Sequence, residues 1–209
     1  MTILTFPTLS RTPSNLSYRL RGNSQTHRSP LDGTTQTLEM PGSVWEFTVT
    51  WESLQEPDWR TLGAFLSRLR GRAGRFTFSP AIFAPRRGVA TSPGTPIFYS
   101  APATGEVFVT EGWTPLTGVG TEVGDWMSYV DASGRQRLHL SVEAFLVQGT
   151  GRCSHGFTPT MRSPPILGQP LEVVAPVGVF MLTDDGAPEM AVRPPRLGAV
   201  TLTMQEALV

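Results

Sequence analysis

The clearest pattern in this chain is a strict alternation of apolar and polar residues between Ser43 and Glu52. Large apolar residues occupy every second position: Trp45, Phe47, Val49 and Trp51. Successive side chains of a β-strand point to opposite faces, so this spacing places all four on one face. The residues between them are polar or acidic. The segment is therefore predicted to be a strand with one face buried and the other in water.

A second pattern has helical spacing and runs from Pro57 to about Arg70. Its apolar residues form one stripe: Trp59, Leu62, Phe65, Leu66 and Leu69. Pro57 suits the first helical position, where its missing N–H needs no partner. Gly71 suits the position just after the helix, where the backbone often turns left-handed. The sequence predicts this helix and gives no comparable signal for another.

Shorter alternating segments predict strands elsewhere in the chain. They are residues Leu16–Leu20, Gln36–Met40, Arg75–Ser79, Glu106–Thr110, Asp125–Val130, Arg137–Leu146, Leu171–Ala175, Val179–Thr183 and Ala199–Glu206. Pro30-Leu31-Asp32-Gly33 is a turn sequence, and Asp131-Ala132-Ser133-Gly134 predicts a hairpin between its flanking strands. With 19 Pro and 21 Gly marking turns, the predicted fold class is mainly β with one helix.

Two Pro-rich segments interrupt this series of strands. Residues 80–102 are rich in Pro, Gly and Ser and predict a domain boundary or a long excursion. Residues 159–170 predict a connector. No repeat accompanies them, so the chain is read as one large or two small domains.

Composition limits the classes of partner and of covalent cross-link that are expected for this protein. The formal net charge is zero, with 17 basic and 17 acidic residues, so bulk attraction to nucleic acid or an anionic membrane is not expected. All the basic residues are Arg, which fits either a GC-rich genome or bidentate contacts at protein interfaces. One cysteine, Cys153, excludes an internal disulfide. The first residues do not resemble a signal peptide, and no apolar run is long enough to span a membrane, which predicts synthesis in a cytoplasm.

The sequence carries no recognisable catalytic or cofactor motif. The three histidines, His27, His139 and His155, are far apart in the chain. Ser154 next to His155 allows a triad only in principle, since triads are assembled in space, and Cys153 with His155 supplies too few ligands for a metal site. No catalytic, cofactor-binding or metal-binding residue is therefore assigned, no cofactor is expected, and the chain is predicted not to be an enzyme.

Two tryptophans and one arginine cluster are the candidate binding residues. Trp113 and Trp126 are either buried core residues or exposed residues whose rings stack on sugar rings. Arg68, Arg70, Arg72 and Arg75 crowd around the end of the predicted helix. That position complements the helix dipole, and it also offers a basic patch to the neighbouring subunit of an assembly. These four residues are the candidate intersubunit contacts.

The order of motifs in the first 80 residues resembles one known family. Ser29-Pro30-Leu31-Asp32-Gly33, Gln36, Pro41-Gly42-Ser43 and Trp45 precede the alternating strand; then come the helix and Gly71-Arg72-Ala73-Gly74-Arg75-Phe76. This order resembles the distal tail proteins of long-tailed bacteriophages and prophages. Later segments, Gly124-Asp125, Leu138–Val147 and Pro159–Pro165, resemble the same proteins more loosely.

The resemblance implies a β-sandwich ring domain, made of residues 1–80 with 171–209, and an inserted or second β-rich domain at 81–170. It implies a ring, commonly of six copies, that joins the tail tube to the tail tip or baseplate. The implied partners are further copies, the tail tube protein and tail hub or tip proteins, while DNA passes through the channel without specific binding. The implied location is the tail tip of a virion assembled in the bacterial cytoplasm. Another structural tail protein and a carbohydrate-binding, receptor-binding β module are the alternatives.

Overall fold

Alternating strands and one helix dominate the chain, as the hydrophobic pattern predicts. The computed structural model describes residues 2–83, 85–88, 96–101, 105–115, 118–186 and 188–208. In that part of the chain the helix α1 covers Glu56–Leu69, with short 3-10 turns at Gly71–Ala73 and Pro80–Ile82. The strands are β1 (Ile3–Thr5), β2 (Asn15–Arg21), β3 (Ser24–Arg28), β4 (Thr35–Glu39), β5 (Val44–Leu54), β6 (Arg75–Phe78), β7 (Ile97–Ser100), β8 (Gly105–Glu111), β9 (Trp126–Val130), β10 (Gln136–Glu143), β11 (Arg152–Met161), β12 (Gly178–Leu182), β13 (Ala191–Arg193) and β14 (Leu197–Glu206).

The main sheet has the strand order β1-β6-β12-β14-β5-β2, and β13 pairs with β14. Its long strand β5 pairs antiparallel with β14 on one side and with β2 on the other. The predicted alternation in β5 is confirmed, because Trp45, Phe47, Val49 and Trp51 are at most 2% exposed. These four side chains form the centre of the larger hydrophobic core.

Helix α1 covers this core with one face. Leu62, Leu66 and Leu69 are buried, as the apolar stripe predicts. The helix begins one residue earlier than predicted, at Glu56, so Pro57 occupies the second position, where its missing N–H is equally harmless. The left-handed turn begins at Arg70, with φ of 54°, and continues through Gly71.

Gly71 combines a positive φ with a very close neighbour. Its φ is 66°, and a Cβ there would lie 2.5 Å from the backbone oxygen of Asp185. We expect Gly71→Ala to lower the free energy of unfolding by about 2–4 kcal/mol, through left-handed strain and overpacking. Gly134→Ala is the matched control, since Gly134 has φ of 77° and open space around it, and its expected loss is about 1–2 kcal/mol. Urea denaturation measures both, and equal losses would contradict the role given to Asp185.

The second sheet has the strand order β7-β8-β11-β10-β9. The hairpin predicted around residues 131–134 is confirmed, since β9 and β10 pair antiparallel with Gln136 opposite Val130. A second hydrophobic core lies on one face of this sheet and includes Phe108, Met127, Tyr129 and Phe157.

Three expectations about strands and connectors need correction. Leu171–Ala175 is not a strand; it contributes only an isolated bridge between Glu172 and Ser128. Residues 159–170 are not wholly a connector, because β11 continues to Met161. Within the predicted boundary at 80–102, residues 84, 89–95 and 102 lie outside the described residues, and β7 occupies 97–100.

The two sheets meet where β9 and β10 pack against the main sheet. Trp126 and Leu138 belong to the larger core, although their strands belong to the second sheet. The main sheet takes its strands from residues 3–78 and 178–206, and the second from 97–161. The division into two domains stays a prediction. Among the described residues, no helix is both long and apolar enough to cross a bilayer.

Candidate assembly surface

The Arg cluster at the end of α1 divides into two pairs. Arg72 donates from Nε to the carbonyl of Thr183 at 2.8 Å, and its backbone N–H bonds the Asp185 carboxylate at 3.3 Å. Arg75 donates from Nη1 to the carbonyl oxygens of Arg72 and Gly74, at 2.6 and 2.9 Å. Arg72 thus fastens the end of the helix to the turn after β12, while Arg75 bonds the backbone between the helix and β6. Arg68 and Arg70 are exposed on the surface.

Trp113 and Trp126 are both core residues. Trp113 is 6% exposed, and its Nε1 donates to Thr110 Oγ1 at 2.7 Å. Trp126 is 3% exposed and packs edge-on against Trp45, with ring centroids 4.8 Å apart. A ring buried to this extent has no face on which a sugar can stack. The interpretation of both as core residues is confirmed, and the glycan platform proposed for them is wrong in this structure.

His155 lies in a buried chain of hydroxyl groups. Its Nε2 is 2.8 Å from Thr110 Oγ1 and its Nδ1 is 2.9 Å from Thr121 Oγ1. Both ring nitrogens are thereby occupied by threonines, so Ser154 and His155 do not form the triad that their adjacency allows. Burial lowers the pKa of His155 to about 3, which keeps the ring neutral. The described residues contain no group of three His, Cys, Asp or Glu side chains placed to hold a metal.

Asp131 organises the turn between β9 and β10. Its carboxylate accepts the backbone N–H groups of Ser133 and Arg135 and two N–H groups of Arg137, at 2.8–3.0 Å. The Asp131 side chain is fully buried, and that of Arg137 is 10% exposed. Burial opposes ionisation, but these hydrogen bonds and the charge of Arg137 outweigh it and lower the pKa of Asp131. The hairpin therefore contains a buried ion pair whose carboxylate also accepts two backbone N–H groups of the turn.

Strands β3 and β4 form a separate two-stranded hairpin, which we call the arm (residues 24–39). Every residue of both strands is exposed. The arm leaves the main sheet between β2 and β5, so it extends from the edge of that sheet. An isolated hairpin is marginally stable in water. It gains stability when another surface covers it.

The tip of the arm presents an apolar side chain on an ordered turn. Asp32 Oδ1 accepts the backbone N–H and the hydroxyl of Thr34, at 3.1 and 2.8 Å. Hydrogen bonds from Ser29 and Thr34 lower the pKa of this exposed carboxyl to about 2. Leu31 is 96% exposed at the tip, and Leu38 on β4 is 59% exposed. The turn thus presents an uncovered leucine to solvent.

The sequence predicts half of this arm. The turn Pro30–Gly33 and the strand at Gln36–Met40 are confirmed, the latter as β4. Strand β3 was missed because Ser24–Arg28 is entirely polar and lacks an apolar alternation. A turn followed by a strand is itself a signal for a partner strand before the turn.

The chain also exposes apolar residues on edge strands of the main sheet. Tyr18 on β2 is 48% exposed and Ile3 on β1 is 46% exposed. The outer strand β2 carries Arg19 and Arg21, both paired with Glu46 on β5. Sheet edges with exposed apolar groups are surfaces to which other chains add.

Neither protein-family models nor curated proteins give a match to this chain.

Proposed function

We propose that this protein is a structural component of a long-tailed bacteriophage or prophage tail, forming a ring at the distal end of the tail tube. Copies of the chain associate head to tail, and the ring joins the tube to the tail tip or baseplate. A central channel lets DNA pass without specific binding. Its partners are further copies, commonly six in all, with the tail tube protein and the hub or tip proteins.

The fully exposed arm is the observation that carries this proposal. Its ten strand residues contact solvent, and its tip holds Leu31 in the open. A surface patch that fits a different patch on an identical chain produces a ring when the rotation between copies closes. The arm is a candidate for such a patch, because its two strands lie outside the main sheet and every residue in them is exposed. The resemblance of residues 29–76 to distal tail proteins adds support from the sequence.

Size measurements on the purified protein test the proposal. We expect light scattering at increasing concentration, with negative-stain images of the same samples, to give a closed ring of several copies. Adding a tail tube protein from the same phage is expected to stabilise the ring. A strict monomer, with the tube protein present as well as absent, would contradict the proposal.

Substitutions on the arm test its role in assembly. We expect the double substitution Leu31→Asp and Leu38→Asp to weaken self-association at least about 30-fold, because apolar anchors that become buried dominate interface energy. Sedimentation velocity measures the change. Leu146→Asp is the matched control, since Leu146 is 70% exposed but lies outside the arm. Equal weakening by both variants would remove the arm from the interface.

A further inference from the structure

Glu206 connects the two sheets at the end of β14. Its side chain is buried, and Oε2 accepts the backbone N–H of Trp45, on β5 of the main sheet, at 3.3 Å. Leu138, on β10 of the second sheet, lines the same small void as Glu206. One buried acid therefore contacts strands from both sheets.

Two further hydrogen bonds cross the same junction. Trp45 donates from its indole Nε1 to the carbonyl of Leu138 at 3.1 Å. Arg162, just after β11, donates from its guanidinium to the carbonyl of Ser43, just before β5. The junction is thus a small polar contact between the sheets, with Glu206 in its middle.

The charged and titratable groups facing Glu206 come from the second sheet. They are Arg137 and His139 on β10 and Arg162 after β11, all of which line one small void with Glu206. His139 is neutral, because burial lowers its pKa to about 3, and it bonds the carbonyl of Pro159 through Nδ1. The charge of Arg137 is already paired with Asp131. On the main-sheet side, Glu206 meets the uncharged residues Trp45 and Phe180.

Burial is the dominant influence on Glu206. It raises the pKa of Glu206 to about 7, although the Trp45 N–H and the charges of Arg162 and Arg137 act in the opposite direction. No ion pair closer than 4.0 Å joins Glu206 to an arginine among the described residues, so the attraction is too distant to compensate for lost hydration. Burial without a close ion pair therefore makes Glu206 harder to ionise in the closed junction than in water.

A surface groove lies next to the void that Glu206 lines. A groove of about 510 Å³ opens between residues 39–43 and 159–162. It shares Pro159, Thr160 and Arg162 with the void that Glu206 lines. Glu206 thus lies behind residues that line a groove at the base of the arm.

We propose that Glu206 is a proton-sensitive clamp between the two sheets, which is tight while its carboxyl group is protonated and loosens when that group ionises. The sign follows from linkage: a buried acid that is easier to ionise once exposed makes opening more favourable as pH rises. With a pKa of about 7 in the closed junction and 4.5 after exposure, the opening equilibrium increases about tenfold between pH 6 and pH 8.

Hydrogen exchange at the Trp45 backbone amide measures this opening. After correction for the intrinsic pH dependence of exchange, we expect its protection factor to fall about tenfold from pH 6 to pH 8 in the wild-type protein. Glu206→Gln, which keeps the hydrogen-bond acceptor but cannot ionise, is expected to lose that dependence. Glu52→Gln is the matched control, because Glu52 is an exposed acid on the same strand as Trp45.

Two results would overturn the clamp. One is a protection factor that does not change with pH in the wild type, and the other is the same change in Glu206→Gln as in the wild type. If Glu206→Gln fails to fold, carbon NMR of the wild-type side-chain carboxyl groups decides. A Glu206 resonance that titrates near pH 7 supports the clamp, and one that titrates near pH 4.5 refutes it.

Discussion

Replacing Trp126 with alanine is expected to lower the free energy of unfolding by about 3–5 kcal/mol, the usual loss for a buried aromatic residue. Trp126 is on β9 of the second sheet, but its indole packs in the core of the main sheet. Its ring centroid lies 4.8 Å from that of Trp45, 5.2 Å from Tyr18 and 5.5 Å from Phe47. The substitution therefore removes packing that joins the two sheets.

Urea denaturation followed by far-ultraviolet circular dichroism measures this loss. Val130→Ala on the same strand is the control, because Val130 is 44% exposed and a surface change of this kind alters stability by about 0.5 kcal/mol or less. A loss below about 1 kcal/mol for Trp126→Ala would contradict the structure.

Asp131→Ala is expected to cost about 3–5 kcal/mol, because it leaves Arg137 buried without its partner. The substitution also frees the backbone N–H groups of Ser133 and Arg135, which the carboxylate accepts at 2.8 and 3.0 Å. Asp184→Ala is the control, since Asp184 lies in an exposed turn with one long hydrogen bond to Gly186.

The double variant Asp131→Ala with Arg137→Met tests how much of the lost stability comes from the unpaired charge of Arg137 and how much from the lost hydrogen bonds in the turn. Removing both members of a buried ion pair is less costly than removing one, because no unpaired charge remains. We therefore expect the double variant to be more stable than Asp131→Ala alone when unfolding is measured under identical conditions. A double variant that loses the sum of the single effects would show that the two residues act independently.

The hydrophobic pattern predicts secondary structure well where one face of an element is more buried than the other. The alternation in β5, the stripe on α1 and the hairpin of β9 with β10 were all predicted and are confirmed. In β5 and α1 a local period corresponds to a single core face, whereas β9 contributes to both cores and its hairpin was predicted from the turn sequence at 131–134. Tail assembly, ring formation and the partners stay predictions.

Strand β11 is an element that the hydrophobic pattern does not predict. Its core-facing positions include His155 and Pro159, which do not look apolar or strand-forming in isolation. His155 is tolerated there because Thr110 and Thr121 occupy both of its nitrogens, and those partners are 45 and 34 residues away. Such long-range compensation is not visible in a short window of sequence.

The unusual burial of Glu206 was not predicted, although the alternation of β14 contains a signal for it. It continues the alternation of Val200, Leu202 and Met204, all buried residues of β14. An acid at the next position of that series falls on the core side, which marks it as unusual. Its neighbours Leu138 and Arg162 come from other strands, so only the folded chain identifies the junction.

The strand order of the main sheet also governs when this protein can complete its fold during synthesis. Strands β12 and β14 lie between β6 and β5, yet about 100 residues separate β6 from β12 along the chain. At about 5–20 residues per second, a ribosome takes about 5–20 seconds to make that interval. Until then the apolar face of β5, with Trp45 and Phe47, lacks its central neighbours. We therefore expect the nascent chain to expose an aggregation-prone surface for several seconds, a period in which a chaperone that covers this face would prevent aggregation.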